Sequence, residues 1–139
     1  MNIDSILNGF VIDHITAGSG MKLYELLKLD AVEASVAIIK NVTSRKMGKK
    51  DIIKIDSKHP INFDVVGFVD PKATINLIKD GVLVEKMSID MPQKLKNVIK
   101  CKNPRCITSV EQEIEHIFEL TDKDNKVYRC LYCETKADI

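Results

Sequence analysis

The chain has 139 residues, of which 45% are hydrophobic and 29% are charged, with 21 basic and 20 acidic side chains. This length suits one ordinary domain or two small ones, and no apolar stretch is long enough to cross a bilayer. A formal charge of +1 and the lack of tryptophan argue against broad binding to nucleic acid or anionic lipid. We therefore expect neither a nucleic-acid nor a membrane partner.

The first ninety residues alternate strand patterns with helix patterns. The first predicted element is a strand over Phe10–Ile15, with Asp13 and His14 at its end. A helix capped by Ser19 follows, with Leu23, Leu26 and Leu27 on one face. The remaining elements, in chain order, are a strand over Glu33–Val42, a basic loop over Thr43–Lys49, a strand over Lys50–Ile55, and a hairpin with arms Ala73–Ile78 and Val82–Met87. Asp80-Gly81 between two apolar runs is a strong hairpin signal.

The segment from Ile61 to Asp70 is ambiguous, because its valines favour a strand whereas Pro60 could open a helix. With a helix there, the order becomes strand, helix, strand, strand, helix, strand, strand. This order predicts an α+β fold with helices on one face of a mostly antiparallel sheet. A break near Ser88–Gln93 marks a domain boundary, so we predict domains over residues 1–92 and 93–139.

All four cysteines lie between Cys101 and Cys133. A secreted, disulfide-stapled protein would not leave its larger part without a staple. Met1 to Asp13 also contains no basic residue, whereas a secretory leader begins with positive charge. Both features predict a cytoplasmic protein.

The four cysteines form two closely spaced pairs, Cys101 with Cys106 and Cys130 with Cys133. Two such pairs on separate turns can bring four sulfur atoms to one tetrahedral ion. Zinc is the first choice, and iron in a rubredoxin-like site is the second. The alternative is two disulfides or four idle buried thiols. A four-thiolate zinc site is coordinatively closed, so it would be structural rather than catalytic.

The first domain also carries a set of charged and polar residues that a sheet could bring together. They are Asp13, His14, Lys50, Lys54, Asn76 and Lys86. Cations suit phosphates and a carboxylate suits sugar hydroxyls. Spacing alone favours the simpler reading that these lysines are solvated or protect strand edges. No phosphate-binding glycine motif and no nucleophile motif is present.

Three stretches and the cysteine pattern together resemble one family. The stretches are Gly9 to Ile15, Met47 to Ile55 and Pro71 to Asn76. They resemble the regulatory chain of aspartate carbamoyltransferase over almost the whole length. The resemblance implies a non-catalytic subunit in pyrimidine biosynthesis. It implies a ferredoxin-like N-terminal domain that binds CTP and ATP as opposing effectors, and a rubredoxin-like β domain that carries zinc.

The resemblance further implies a regulatory dimer formed through the N-terminal domain. The zinc domain would dock onto the catalytic chain through the segment between Cys106 and Cys130, where we expect loops that include Glu111 to Leu120. The full particle would pair two catalytic trimers with three regulatory dimers.

Carried onto this sequence, the resemblance also assigns the residues of the nucleotide site. Asp13 matches a residue at the ribose hydroxyls, His14 and Lys86 match residues near the phosphates, and Lys54 matches one that reaches the sugar and base, with Lys50 beside it. Ser5, Ile6 and Val11 match positions near the base, and Asn76, Ile78 and Leu83 match hairpin positions that line the pocket.

Two other classes of protein compete with this interpretation. A zinc-ribbon nucleic-acid binder would use the cations around the metal, which are Lys100, Lys102, Arg105 and Arg129. Four glutamates in the same domain, Glu111, Glu113, Glu115 and Glu119, would repel phosphate. A small independent enzyme is the second competitor, but no set of residues converges on a reaction.

Overall fold

The computed structural model describes residues 6–58 and 60–137, so the candidate residue Ser5 lies outside the described part of the chain. The chain divides into two compact units, Met1–Asp90 and Met91–Ile139. None of the helices in the described residues is long and apolar enough to span a membrane.

The first unit is one five-stranded antiparallel sheet with two helices. Its elements are β1 (Gly9–Thr16), α1 (Gly20–Leu26), a 3-10 turn (Leu29–Ala31), β2 (Ser35–Ser44), β3 (Gly48–Asp56), α2 (Phe63–Val69), β4 (Thr74–Lys79) and β5 (Val82–Ser88). The strand order is β2-β3-β1-β4-β5. The first four strands and two helices reproduce the ferredoxin-like order, and β5 adds an edge. The predicted α+β class and the predicted element order are confirmed.

One face of this sheet is the core. Ile12 pairs with Ile53 on one side and with Ile75 on the other, and all three side chains are fully buried. Helix α1 contributes Leu23 to the same core, and α2 contributes four consecutive buried residues. Because side chains alternate along a strand, the residues next to each of these isoleucines in its own strand face away from the core.

The first strand does not end at Asp13 and His14, as the sequence had suggested, but continues to Thr16. A β-bulge interrupts its pairing with β3 between Ile12 and Ile15. His14 takes a left-handed conformation there, with φ of 57°. The extra residue lets Ile12 and Ile15 both enter the core.

The expected basic loop over Thr43–Lys49 is also shorter than predicted. Strand β2 runs to Ser44 and β3 starts at Gly48, so these strands form a tight hairpin. The hairpin between β4 and β5 agrees with its prediction. Its turn residues Asp80 and Gly81 have φ of 51° and 77°, as a type I′ turn requires.

The buried side chain of Asp51 ties the start of α1 and the bulge in β2 to strand β3. It is fully buried and lies on the core face of β3. Its Oδ2 accepts hydrogen bonds from the backbone N–H groups of Gly18 and Gly20, both at 3.0 Å, and its Oδ1 accepts one from Asn41 at 3.0 Å. A buried carboxyl group that accepts three hydrogen bonds is well satisfied.

We expect Asp51→Ala to destabilise the first unit by about 2–4 kcal/mol, because the N–H groups of Gly20, Gly18 and Asn41 would lose their acceptor. The loss costs about 1–3 kcal/mol for the buried Gly20 group and less for the two part-buried groups, which water can reach. Asp51→Asn should cost less, since its amide keeps one acceptor oxygen. Denaturant unfolding of both variants measures the difference. Equal stability of Asp51→Ala and the parent chain would show that these contacts do not hold the start of α1 and the bulge in β2.

The second unit is a three-stranded antiparallel sheet joined to cysteine-bearing turns. Its elements are β6 (Lys94–Lys96), the one-turn helix α3 (Ile107–Val110), β7 (Ile117–Asp122) and β8 (Val127–Cys130), in the sheet order β6-β7-β8. Its small core contains Leu95, Phe118 and Tyr128. The segment Glu111 to Leu120, expected to be a loop, is strand from Ile117 onward.

Candidate functional site

Four cysteine sulfurs come together in the second unit. The Sγ atoms of Cys101, Cys106, Cys130 and Cys133 all lie within 4.8 Å of one another. Cys101 Sγ is 3.5 Å from Cys133 Sγ, and Cys106 Sγ is 3.7 Å from Cys130 Sγ. A disulfide would require about 2.05 Å, and all four cysteines are free. Four sulfurs at about 2.3 Å from one tetrahedral zinc ion would lie about 3.8 Å apart, which fits these separations.

Local hydrogen bonds hold the two cysteine turns in this arrangement. The backbone N–H of Cys101 donates to Nδ1 of His116 at 3.0 Å, and the Ser109 hydroxyl donates to the Asn103 carbonyl at 2.7 Å. Cys130 ends strand β8, and its carbonyl accepts from the N–H of Glu134 at 2.9 Å. The loop that presents the first pair and the strand that presents the second are therefore both fixed.

The pKa values of Cys101 and Cys133 shift in opposite directions. Burial raises the pKa of the Cys101 thiol to about 12. Burial also acts to raise the pKa of Cys133, but hydrogen bonds from the Thr135 side chain and backbone, and then from Asn103 and Cys101, outweigh it and lower the pKa to about 6. Thiols in contact with one another cannot all ionise without a cation between them. The donor set thus fits a closed, structural metal ion such as zinc, with no open position for catalysis.

A second set of residues forms a row across the outer face of the first unit. Lys54 on β3 pairs with Val11 on β1, Val11 pairs with Asn76 on β4, and Asn76 pairs with Lys86 on β5. Directly opposed side chains on neighbouring strands lie about 5 Å apart. Four residues that are distant in sequence therefore form one continuous strip, with a lysine at each end.

The next row along the sheet carries a carboxylate, Asp13, beside a lysine and a histidine. Lys50 Nζ forms an ion pair with Asp13 at 3.0 Å, and His14 Nδ1 lies 3.1 Å from the Thr74 hydroxyl. Burial acts to raise the pKa of Asp13, but the hydrogen bonds from Lys50 and from the His14 backbone outweigh it and lower the pKa below its usual value. Asp13 is therefore a charged acceptor at neutral pH.

The Asn76 side chain is incompletely satisfied. Its Oδ1 atom is buried and has no hydrogen-bond partner among the described residues. A buried carbonyl oxygen without a donor costs free energy, and such atoms in native proteins call for an explanation. The position of Asn76 between Val11 and Lys86 makes a bound ligand one source of the missing donor.

The structure brings most of the predicted nucleotide residues together. A cleft of 220 Å³ is lined by Ile6, Val11, Lys54, Ile78 and Leu83, together with Gly81. Asp13, Lys50, Asn76 and Lys86 follow on the same face by strand register.

His14 borders a separate depression of 880 Å³ that also includes three lysines. They are Lys46, Lys49 and Lys72. Lys46 and Lys49 belong to the predicted basic loop Thr43–Lys49, for which the sequence indicates no role.

Both units of the chain match known protein domains. Residues 1–90 match the family model of the aspartate carbamoyltransferase regulatory chain, allosteric domain, and residues 93–139 match that of its metal-binding domain. The chain is 52% identical over 135 residues to the aspartate carbamoyltransferase regulatory chain of Clostridium tetani, covering 96% of this chain and 94% of the relative. It is 41% identical to that of Bifidobacterium longum, over the full length of both.

The two matched domains coincide with the two sites described above, one on the sheet and one at the cysteines. The relatives are regulatory chains, so the prediction of a non-catalytic subunit that regulates a pyrimidine-pathway enzyme is confirmed, as is the predicted resemblance. The chain belongs to the family of aspartate carbamoyltransferase regulatory chains.

Proposed function

We propose that this chain senses CTP and ATP on the outer face of its five-stranded sheet and transmits their binding to a catalytic chain docked on its zinc unit. The observation that carries this proposal is the row Lys54–Val11–Asn76–Lys86, with its unsatisfied Asn76 Oδ1. Nucleotides combine an apolar base, hydroxyl and amino donors, and a polyanion, and the row offers a counterpart for each.

Different parts of this outer face suit different parts of a nucleotide. The cleft beside Ile6, Val11 and Leu83 is mostly apolar and suits a base. Carboxylate Asp13 suits ribose hydroxyls, because an ionised carboxylate only accepts hydrogen bonds. Lys86 and His14 suit the phosphates, where charge-assisted hydrogen bonds are strongest. Ser5 belongs to this proposed site through the family resemblance alone.

Asn76 gives the sharpest test of where the ligand lies. Asn76→Leu removes the unsatisfied oxygen while keeping a similar volume, so the ligand-free first unit should be as stable as the parent or more so. The same change should weaken CTP or ATP binding about tenfold, because the ligand loses its acceptor. Calorimetric titration and thermal unfolding of the same preparations measure both effects. Unchanged affinity for both nucleotides would place the ligand elsewhere.

The zinc unit offers an apolar surface for the catalytic chain. Ile107 and Val110 lie three residues apart on α3, directly after Cys106, and both are exposed. Leu131 and Tyr132 lie inside the turn between Cys130 and Cys133 and are also exposed. Exposed apolar side chains concentrated at the metal turns support a protein partner there. Metal binding would then order the docking surface itself.

The wider assembly follows from the same proposal. We expect the first units to pair into a regulatory dimer, and three dimers to join two catalytic trimers in the cytoplasm. The four free, clustered thiols support a reducing compartment.

A further inference from the structure

Each pair of cysteines ends in the same short pattern, a cysteine followed two residues later by threonine. The pattern occurs as Cys106-Ile107-Thr108 and as Cys133-Glu134-Thr135. In both, the hydroxyl turns back onto the sulfur. Thr108 Oγ1 lies 3.1 Å from Cys106 Sγ, and Thr135 Oγ1 lies 3.2 Å from Cys133 Sγ. Two of the four sulfurs, one from each pair, therefore have a threonine hydroxyl as neighbour.

The direction of these hydrogen bonds follows from the metal. A sulfur that binds a metal ion does so as a thiolate and carries no proton. In the metal-bound form the hydroxyl must therefore be the donor and the thiolate the acceptor. At Cys133 this reverses the contact of the protonated form, in which the Cys133 thiol donates to Thr135 Oγ1. Thr108 is only 4% exposed, so its hydroxyl is shielded from competing water. A hydrogen bond to an ionised acceptor is about twice as strong as a neutral one.

We infer that Thr108 and Thr135 are positioning residues of the metal centre, which withdraw charge from two of its thiolates and thereby slow metal release. Four thiolates around one divalent ion carry a net charge of −2, which makes the sulfurs reactive towards protons and electrophiles. Hydroxyl groups that donate to one sulfur of each cysteine pair reduce that excess negative charge. The inference rests on the metal ion of the proposed function, but not on the nucleotide site or on the catalytic partner.

The test uses the full-length, zinc-loaded chain and isosteric substitutions. Thr108→Val and Thr135→Val remove the hydroxyls, and the corresponding serine variants keep them. Thr121→Val is a matched control, because the Thr121 hydroxyl donates to the carbonyl of Val127 and to no cysteine. Zinc transfer to an excess of a coloured chelator gives the release rate. Cobalt(II) loaded in place of zinc gives the sulfur-to-metal charge-transfer spectrum, which reports electron density on sulfur.

Each valine variant should release zinc about 10- to 100-fold faster, the range expected when a partner of a metal ligand is lost. Its cobalt charge-transfer band should move to lower energy, because the thiolate becomes easier to oxidise. The serine variants and Thr121→Val should behave like the parent. Faster release with an unmoved band would assign the hydroxyls to loop packing and overturn the inference, as would unchanged release.

Two further outcomes separate this inference from the proposals before it. Should the buried Thr108→Val variant fail to take up cobalt, the half-buried Thr135→Val variant decides the question by the same two readouts. A parent chain that binds no zinc would refute the proposed metal itself, whereas a zinc-loaded parent with insensitive variants would refute only the role of the hydroxyls.

Discussion

Removal of zinc is expected to unfold residues 91–139 and to leave residues 1–90 folded. The second unit has strands of three, six and four residues and a small core around Leu95, Phe118 and Tyr128. A domain of this size seldom folds on apolar burial alone. Binding of structural zinc to cysteine sites contributes about 10–16 kcal/mol at neutral pH, which exceeds the stability that such a core can supply.

Limited proteolysis combined with amide hydrogen exchange measures this directly. After chelation or treatment with a mercurial, new cleavages and lost protection should be confined to residues 91–139, and zinc under reducing conditions should restore both. Cys106→Ser should reproduce the effect, and Thr121→Val, which retains all four sulfurs, should not. A verified zinc-free chain that keeps its protection around Phe118 and Tyr128 would contradict a structural role for the metal.

Replacement of the lysine at either end of the row Lys54–Val11–Asn76–Lys86 should give the largest effect on nucleotide binding. Lys54→Ala or Lys86→Ala removes a charge-assisted hydrogen bond, worth about 1.5–3 kcal/mol, so the Kd for CTP or ATP should rise roughly 10- to 150-fold. Lys50 is a poorer choice for this test. Its removal would also leave Asp13 without the ion pair that lowers its pKa, which mixes two effects.

Lys40→Ala is the matched control, because Lys40 is an exposed lysine on β2 outside the row. Calorimetry on the zinc-loaded chains should show parent-like affinity for this control. Higher ionic strength should narrow the gap between the parent and the two row variants, since the lost contacts are ionic. Parent-like affinity in both Lys54→Ala and Lys86→Ala would show that the nucleotide does not lie across this face.

Much of the fold could be predicted because local signals agreed with the tertiary structure. Asp80-Gly81 predicted its hairpin through turn chemistry, and the cysteine spacing predicted the sulfur cluster. Helix α2 was ambiguous because its valines favour strands. The capping signal was nevertheless present, since the Asn62 side chain accepts from the N–H of Asp64 at 3.0 Å. Burial of four consecutive residues of α2 then outweighed strand propensity.

Other features could not be predicted because they depend on distant chain segments. The bulge at Asp13 and His14 results from fitting both Ile12 and Ile15 into one core, which no local pattern specifies. Asp51 falls within a predicted strand, and its local sequence indicates no special role. Its partners are backbone N–H groups of the turn before α1 and of the bulge in β2, so only the folded chain reveals its role. Asn76 was already a candidate from the sequence, but its unsatisfied oxygen is visible only in the structure.

We propose above all that nucleotide binding on this chain controls a catalytic chain bound to its second unit. The most direct measurement is aspartate carbamoyltransferase activity of the catalytic chain, followed with sedimentation, alone and with this chain across a range of CTP and ATP concentrations. The catalytic chain alone should be active and insensitive to both nucleotides. The zinc-loaded mixture should sediment as a larger particle whose activity responds to them. A co-sedimenting complex that ignores both nucleotides, or no complex with zinc present, would contradict the account.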